Sequence, residues 1–373
     1  MTEGLYVHIP FCKRRCAYCG LPSTAGRQSE LDSYIEALLA EAHVRCASRK
    51  FSTLFLGGGT PSIMSPGQLE RLFAGLAEVA LLEAEAEVSI EVNPDTVTPQ
   101  WVEVLRKTPV NRVSIGVQSF VEEECAALGR LHSPAQAEKA FGLLREAGFD
   151  NLSLDLIAGF PGHSLANFKK SLERALALGP EHMSLYLYHR EDETAFDEAL
   201  TAGELCEADE DEQVEMYYYM REFLLAQGFE HYEISNFARP GRLCKHNLNY
   251  WLGGDYCGLG AGAASHENGA RFSNVYDPRD YVGLMVSAGA AIYEREELEP
   301  GPKWRESMML RLRLLQPTDL STVLPRPDSA TFEDVRKTLS QCAKEGLVEK
   351  SGETFVLSTR ALTVANEVLA RVI

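Results

Sequence analysis

The sequence predicts an α/β fold: an incomplete (β/α)6 TIM-like barrel over residues 1–190, a C-terminal α+β extension over 191–300, and a winged-helix-like region over 301–373. Three observations lead there. Six short, β-branched runs alternate with longer amphipathic stretches up to about residue 188, the rhythm of βα units around a parallel sheet. That rhythm stops at an acidic run, 204–215, which leads into an aromatic helix. A chain of 373 residues also suits one large domain with a smaller appendage better than a single core.

The strands are expected at 5–9, 53–56, 87–92, 112–117, 151–156 and 183–188, and the helices between them at 31–48, 66–82, 99–107, 134–147 and 164–178. Several helices open on Ser, Pro or Thr, and the last two close near Gly148 and Gly179, the residue types that satisfy helix ends. In barrels of this kind the loops at the C-terminal ends of the strands converge on one mouth, so chemistry is expected just after strands. A glycine-rich loop is expected over 253–262. From residue 301 the pattern reads helix, helix, a hairpin around Ser351-Gly352, and helix, a winged-helix outline. With a net charge of -18 this outline predicts a lid or packing module and not a nucleic-acid binder, because the only basic run noted, Lys13-Arg14-Arg15, is three residues long.

A composition of 45% hydrophobic and 24% charged residues provides a sizeable core and argues against disorder. No stretch reaches the apolar length of an integral membrane segment, and Met1-Thr2-Glu3-Gly4 lacks the basic-then-apolar order of a secretion signal, so a cytoplasmic location is expected. In a reducing compartment the nine cysteines do not read as a disulfide framework. Cys46, Cys125, Cys206, Cys244, Cys257 and Cys342 are scattered and mostly read as small buried hydrophobes. The other three, Cys12, Cys16 and Cys19, fall in CxxxCxxC directly after the first strand. Thiolates at such spacing bind zinc or iron-sulfur centres. Three are an incomplete set for structural zinc, whereas a [4Fe-4S] cluster held by three cysteines keeps one iron open to a ligand. The competing reading is a zinc site completed by His8 or a distant cysteine.

The segment from Tyr6-Val7-His8-Ile9-Pro10-Phe11 through this cysteine triad resembles the radical SAM proteins of the oxygen-independent coproporphyrinogen III oxidase group. The resemblance implies a [4Fe-4S] cluster on Cys12, Cys16 and Cys19 that binds S-adenosylmethionine (SAM) through its open iron. Gly57-Gly58-Gly59-Thr60-Pro61-Ser62 looks like the family's glycine segment, where bare backbone admits the amino-acid end of SAM, and assigns Gly58, Gly59 and Thr60 to that site. Glu91, Gln118, Arg130 and Asp155 match family positions that line the SAM site, and Tyr6 and Tyr18 match positions beside it. Core packing is the competing reading for the two tyrosines. No catalytic side chain is assigned.

A second segment, Cys244-Lys245-His246-Asn247-Leu248-Asn249-Tyr250-Trp251, contains HNxxYW and looks like the signature of the HemW-type haem chaperones of this group. Imidazole ligates haem iron, and Tyr and Trp offer flat faces to a porphyrin, so His246 is the expected haem contact; Cys244, Cys257, His266 and His189 remain open as ligands. A folded hinge, with His246 and Asn247 satisfying buried backbone, is the alternative. The resemblance implies binding of haem or another porphyrin, a homodimer, and apo-haemoprotein clients. The group's oxidases instead decarboxylate coproporphyrinogen III and resemble one another in an N-terminal extension and a further Cys two residues after the triad. Here the triad begins at residue 12 and Leu21 stands at that further position, whereas Gly20 is what the oxidases show in place of the chaperones' Asp.

Overall fold

The computed structural model describes residues 3–373, so Met1 and Thr2 of the N-terminal segment lie outside it. Six barrel strands run Gly4–Ile9 (β1), Lys50–Gly58 (β2), Leu81–Val92 (β3), Arg112–Gln118 (β4), Leu152–Ala158 (β5) and His182–Leu187 (β6). They pair in parallel in that order, with Leu5 opposite Leu54 and Leu154 opposite Met183. Near-continuous apolar runs suit strands covered on both faces. Their helices are Leu31–Arg45 (α1), Pro66–Val79 (α2), Pro99–Leu105 (α3), Glu122–Ala127 (α4), Pro134–Glu146 (α5) and Leu165–Ala177 (α6). The starts of α2 and α5 are fixed by full capping boxes, Ser65 with Gln68 and Ser133 with Gln136, each followed by Pro at the first helical position. Such caps contribute about 1 kcal/mol each, which is why these boundaries agree with the sequence pattern.

The extension comprises Ala195–Thr201 (α7), Glu210–Ala226 (α8), Glu230–Glu233 (β7), Asn236–Ala238 (β8), Lys245–Trp251 (α9), Tyr256–Leu259 (β9), Ala264–Glu267 (β10), Ala270–Asn274 (β11), Pro278–Ala288 (α10) and Ile292–Glu297 (β12). Its strands join the barrel sheet at both edges. Among the described residues the sheet has twelve strands in the order β12-β11-β10-β9-β1-β2-β3-β4-β5-β6-β8-β7. The segment 253–262, expected as a loop, therefore contains strand β9, parallel to β1 with Cys257 opposite Leu5. Its glycines serve close approach: a Cβ on Gly258 would lie 2.0 Å from the Ala264 carbonyl oxygen, and one on Gly260, at φ +100°, 2.7 Å from that of His8.

Glu41 of α1 ties the extension to the barrel. Buried to 3% exposure, it accepts from Gly260 N at 2.8 Å, Asn274 Nδ2 at 2.8 Å and the Tyr281 hydroxyl at 2.6 Å. The last region, Pro300–Leu312 (α11), Thr318–Asp319 (β13), Ser329–Lys344 (α12), Val348–Ser351 (β14), Thr354–Leu357 (β15) and Ala365–Ala370 (α13), forms a separate sheet in the order β13-β15-β14, the winged-helix outline. One contiguous apolar core extends from Val7 and Leu56 in the barrel to Trp304 and Phe355 beyond it. Among the described residues no helix is long and apolar enough to cross a membrane.

Candidate cluster and cofactor site

Cys12, Cys16 and Cys19 occupy the loop after β1 and line one cavity of about 600 Å3 at the barrel mouth. The loop is held from several sides. Ala17 N donates to the Leu128 carbonyl at 3.1 Å, and the Arg14 guanidinium donates to the Gly129 carbonyl at 2.7 Å. A chain of polar contacts links two of the thiols. Thr60 Oγ1 lies 3.5 Å from Cys12 Sγ and accepts from Asn93 Nδ2 at 3.1 Å; Asn93 Oδ1 accepts from Arg130 Nη2 at 2.8 Å; Arg130 Nη1 lies 3.2 Å from Cys16 Sγ. Burial pushes the Cys12 and Cys19 thiols up, so forming their thiolates calls for a positive partner. Asn93 was not singled out from the sequence. Its signal lay in the motif after β3, two residues beyond Glu91.

The glycine segment after β2 packs closely against the thiol loop and His8. A Cβ on Gly59 would stand 2.9 Å from Cys12 Sγ, and Gly58, at φ +114°, would drive one to 2.6 Å from the His8 ring. Gly58 N donates to Glu91 Oε2 at 3.2 Å. Glu91 and Asp155 line the same cavity from β3 and β5. Burial, reinforced by Asp155, raises the Glu91 carboxyl to about 7, while burial also raises Asp155, which accepts from Ser114 Oγ at 3.0 Å. Gln118, where a bulge ends β4, holds φ at +71°, a region rarely occupied by a residue with a side chain, and its Oε1 is buried with no hydrogen-bond partner. Arg130 Nε is likewise unpartnered. Strain and unpaired buried groups concentrated at a barrel mouth are features of ligand sites.

Tyr18 lines this cavity, and burial raises its hydroxyl. Tyr6 does not. It points into a smaller inner cavity of about 160 Å3 that shares only Glu91, Asp155 and Tyr186 with the first. The Tyr6 hydroxyl donates to His8 Nδ1 at 2.8 Å, and His8 Nε2 donates to the Pro22 carbonyl at 2.9 Å, so both ring nitrogens of His8 are engaged. Among the described residues no group of three or more His, Cys, Asp or Glu side chains is gathered as a single-ion site.

The HNxxYW segment forms α9, and Glu87 of β3 closes its N-terminus, accepting from Lys245 N at 2.8 Å and His246 N at 3.2 Å. His246 is 1% exposed. Its Nδ1 meets Thr53 Oγ1 at 2.7 Å and its Nε2 meets the Tyr250 hydroxyl at 2.8 Å, and burial, helped by Arg112, lowers its pKa to about 3. A neutral imidazole with both nitrogens engaged ties α9 to β2, through side-chain hydroxyls and not through the buried backbone that the hinge reading expects. Tyr250 and Trp251 line a third cavity, of about 520 Å3, between the barrel mouth and the winged region. Five of the six scattered cysteines are buried and Cys206 is exposed; none forms a disulfide.

Comparison with known proteins agrees with this architecture. Residues 6–175 match the radical SAM superfamily and residues 299–364 the HemN C-terminal domain. The chain is 33% identical to heme chaperone HemW of Bacillus subtilis, covering 98% of each chain. It is 33% identical to heme chaperone HemW of Escherichia coli, covering 97% of this chain and 98% of that protein. The solved structure of coproporphyrinogen III oxidase (HemN) from Escherichia coli, described as a radical SAM enzyme, superposes with a TM-score of 0.88 over 100% of this chain and 90% of that one, at 25% identity.

Proposed function

The chain belongs to the HemW-type branch of the radical SAM superfamily, and from that premise we propose that it is a haem chaperone which binds a [4Fe-4S] cluster, SAM and haem and delivers haem to apo-haemoproteins. The observation that carries the reading is the extent of the likeness: it runs through the extension and the winged region as well as the barrel. Cys12, Cys16 and Cys19 would hold the cluster. The gathering of the three thiols on one cavity and the unpartnered atoms of Gln118 and Arg130, which border it, are suited to such an occupant. When bound, the cluster supplies one-electron reducing power and an iron with an open position for the amino-acid end of SAM. Gly58, Gly59 and Thr60 line the same cavity and would face that end, and Glu91, Gln118, Arg130 and Asp155 would provide acceptors and donors around the remainder, with Tyr18 as a wall. Tyr6 and His246 act from beneath, Tyr6 by fixing His8 and His246 by fixing Tyr250. The clients, the homodimer and the cytoplasmic location belong to the same proposal.

The second reading, an oxygen-independent coproporphyrinogen III oxidase, is favoured by the structural likeness to HemN and by Gly20. One experiment separates the two. The cluster is rebuilt anaerobically, coproporphyrinogen III, SAM and a reductant are added, and protoporphyrinogen IX is measured alongside haem titration and haem transfer to an apo-haemoprotein. The chaperone reading expects haem uptake and transfer without conversion. Conversion, or a protein that takes up no haem, would reject it.

A further inference from the structure

The third cavity has polar groups that the fold leaves unused. Trp251 Nε1, Arg313 Nε, Glu233 Oε2 and Asn236 Oδ1 all border it, and each is buried without a hydrogen-bond partner. Glu233 is 0% and Asn236 3% exposed. Native interiors seldom leave such atoms unpaired, and the two donors among them, Trp251 Nε1 and Arg313 Nε, call for a ligand that supplies an acceptor. Arg313 lies 4.5 Å from the Trp251 ring centre and is ion-paired with Glu233 at 3.8 Å, too long for a hydrogen bond, and its buried Nε has no partner, so a donor remains for a ligand carboxylate. Tyr217, Tyr250, Leu187 and Leu362 give the wall flat or apolar faces beside the polar Asn247 and Asn366, and at about 520 Å3 the space is of cofactor size.

A flat, apolar macrocycle that carries carboxylates on one edge and a metal needing an axial ligand fits these features. Geometry also selects the ligand. His246 has both ring nitrogens engaged, the Cys244 thiol lies 3.5 Å from Glu87 Oε1, Cys257 is 0% exposed, and His266 Nδ1 lies 3.0 Å from Asp255 on the β9–β10 side of the sheet. His189 is exposed, has no side-chain partner among the described residues, and lines both the cluster cavity and this one.

We propose that haem binds in this cavity, with Arg313 receiving a propionate and His189 ligating the iron where the cavity meets the cluster site. The proposal rests on the chaperone reading and assigns a place and a ligand within it. It makes His246 a positioning residue that holds Tyr250, and it sets the iron against the SAM-binding mouth.

The test titrates ferric haem, and separately iron-free protoporphyrin IX, into the full-length reconstituted protein and three variants. His189→Ala is expected to shift the ferric Soret band and weaken haem binding about tenfold while changing protoporphyrin affinity less than about twofold, because only the iron bond is lost. Arg313→Leu is expected to weaken both ligands about tenfold or more, the loss of a charge-assisted bond. Asn366→Trp, which fills the cavity from the winged region, should weaken both as well. Unchanged melting temperature and iron content in each variant show that the fold and cluster are intact. A parent that binds neither ligand overturns the chaperone reading together with the proposal. A parent that binds haem, with variants that match it in affinity and Soret position, overturns the proposed site alone.

Discussion

Gly59→Ala tests how tightly the thiol loop is fitted to the glycine segment. The added Cβ would lie 2.9 Å from Cys12 Sγ and 2.9 Å from the Phe11 carbonyl oxygen. The second neighbour is backbone, so no rotamer change relieves it. Gly59 N is also fixed, donating to the Ile9 carbonyl at 2.9 Å. Reaching an ordinary contact of 3.4 Å from 2.9 Å requires the Phe11–Cys12 backbone or the glycine segment to move by about 0.5 Å. Metal-site ligands tolerate roughly 0.2 Å, and overpacking of this kind costs about 1–3 kcal/mol. The expected outcome is a melting temperature lower by a few degrees and a cluster content, assayed as iron and sulfide after anaerobic reconstitution, falling from about four irons per chain to fewer than about one. Gly67→Ala on α2, where an added Cβ meets nothing within 4 Å, is the control and should retain both. Full iron content and parental melting in Gly59→Ala would refute the fit of loop to glycine segment.

Three further outcomes are expected. Arg130→Met removes the donors to Cys16 Sγ, Asn93 Oδ1 and, at 2.5 Å, the Gly116 carbonyl, and should cost about 1.5–3 kcal/mol in urea unfolding and weaken SAM binding; parental values for both would contradict the polar chain between the thiols. Glu41→Ala strips the buried clamp between α1 and the extension and should lower stability by about 3–5 kcal/mol in a single transition, whereas an unchanged midpoint would mean the extension does not depend on it. His246→Asn alters acid stability with a defined sign. The imidazole, at about 3 when folded and near its ordinary 6.5 when unfolded, lets the unfolded state take up a proton first, so its presence lowers stability as pH falls from 6.5 toward 3. The parent should therefore lose stability relative to the variant by about 1.4 kcal/mol per pH unit in that window, measured by denaturation at pH 7 and pH 5; parallel curves would show that His246 is not held neutral.

The elements that sequence alone determined are those whose signal is local. The strand β2 appears in its Thr53–Leu56 core because an apolar run fits a strand buried on both faces, and α5 begins at Pro134 because Ser133 and Gln136 close its end. The thiol triad was legible for the same reason, since one loop carries all three sulfurs. Tertiary structure alone decided features assembled from distant segments. The segment 253–262 has a loop composition, yet becomes a strand once β1 offers it an unpaired edge, with Tyr6 opposite Gly258. Glycine content there reports a close approach, and only the folded neighbour shows to what. His246 has the residue type of an iron ligand, but Thr53 and Tyr250 engage both its nitrogens, while His189, in no motif, stands free at a junction of cavities. Spacing along the chain fixes which groups can meet within a loop or a helix turn. Which polar atoms are left unpaired after the core closes depends on every element packed around them, and that is set only by the completed fold.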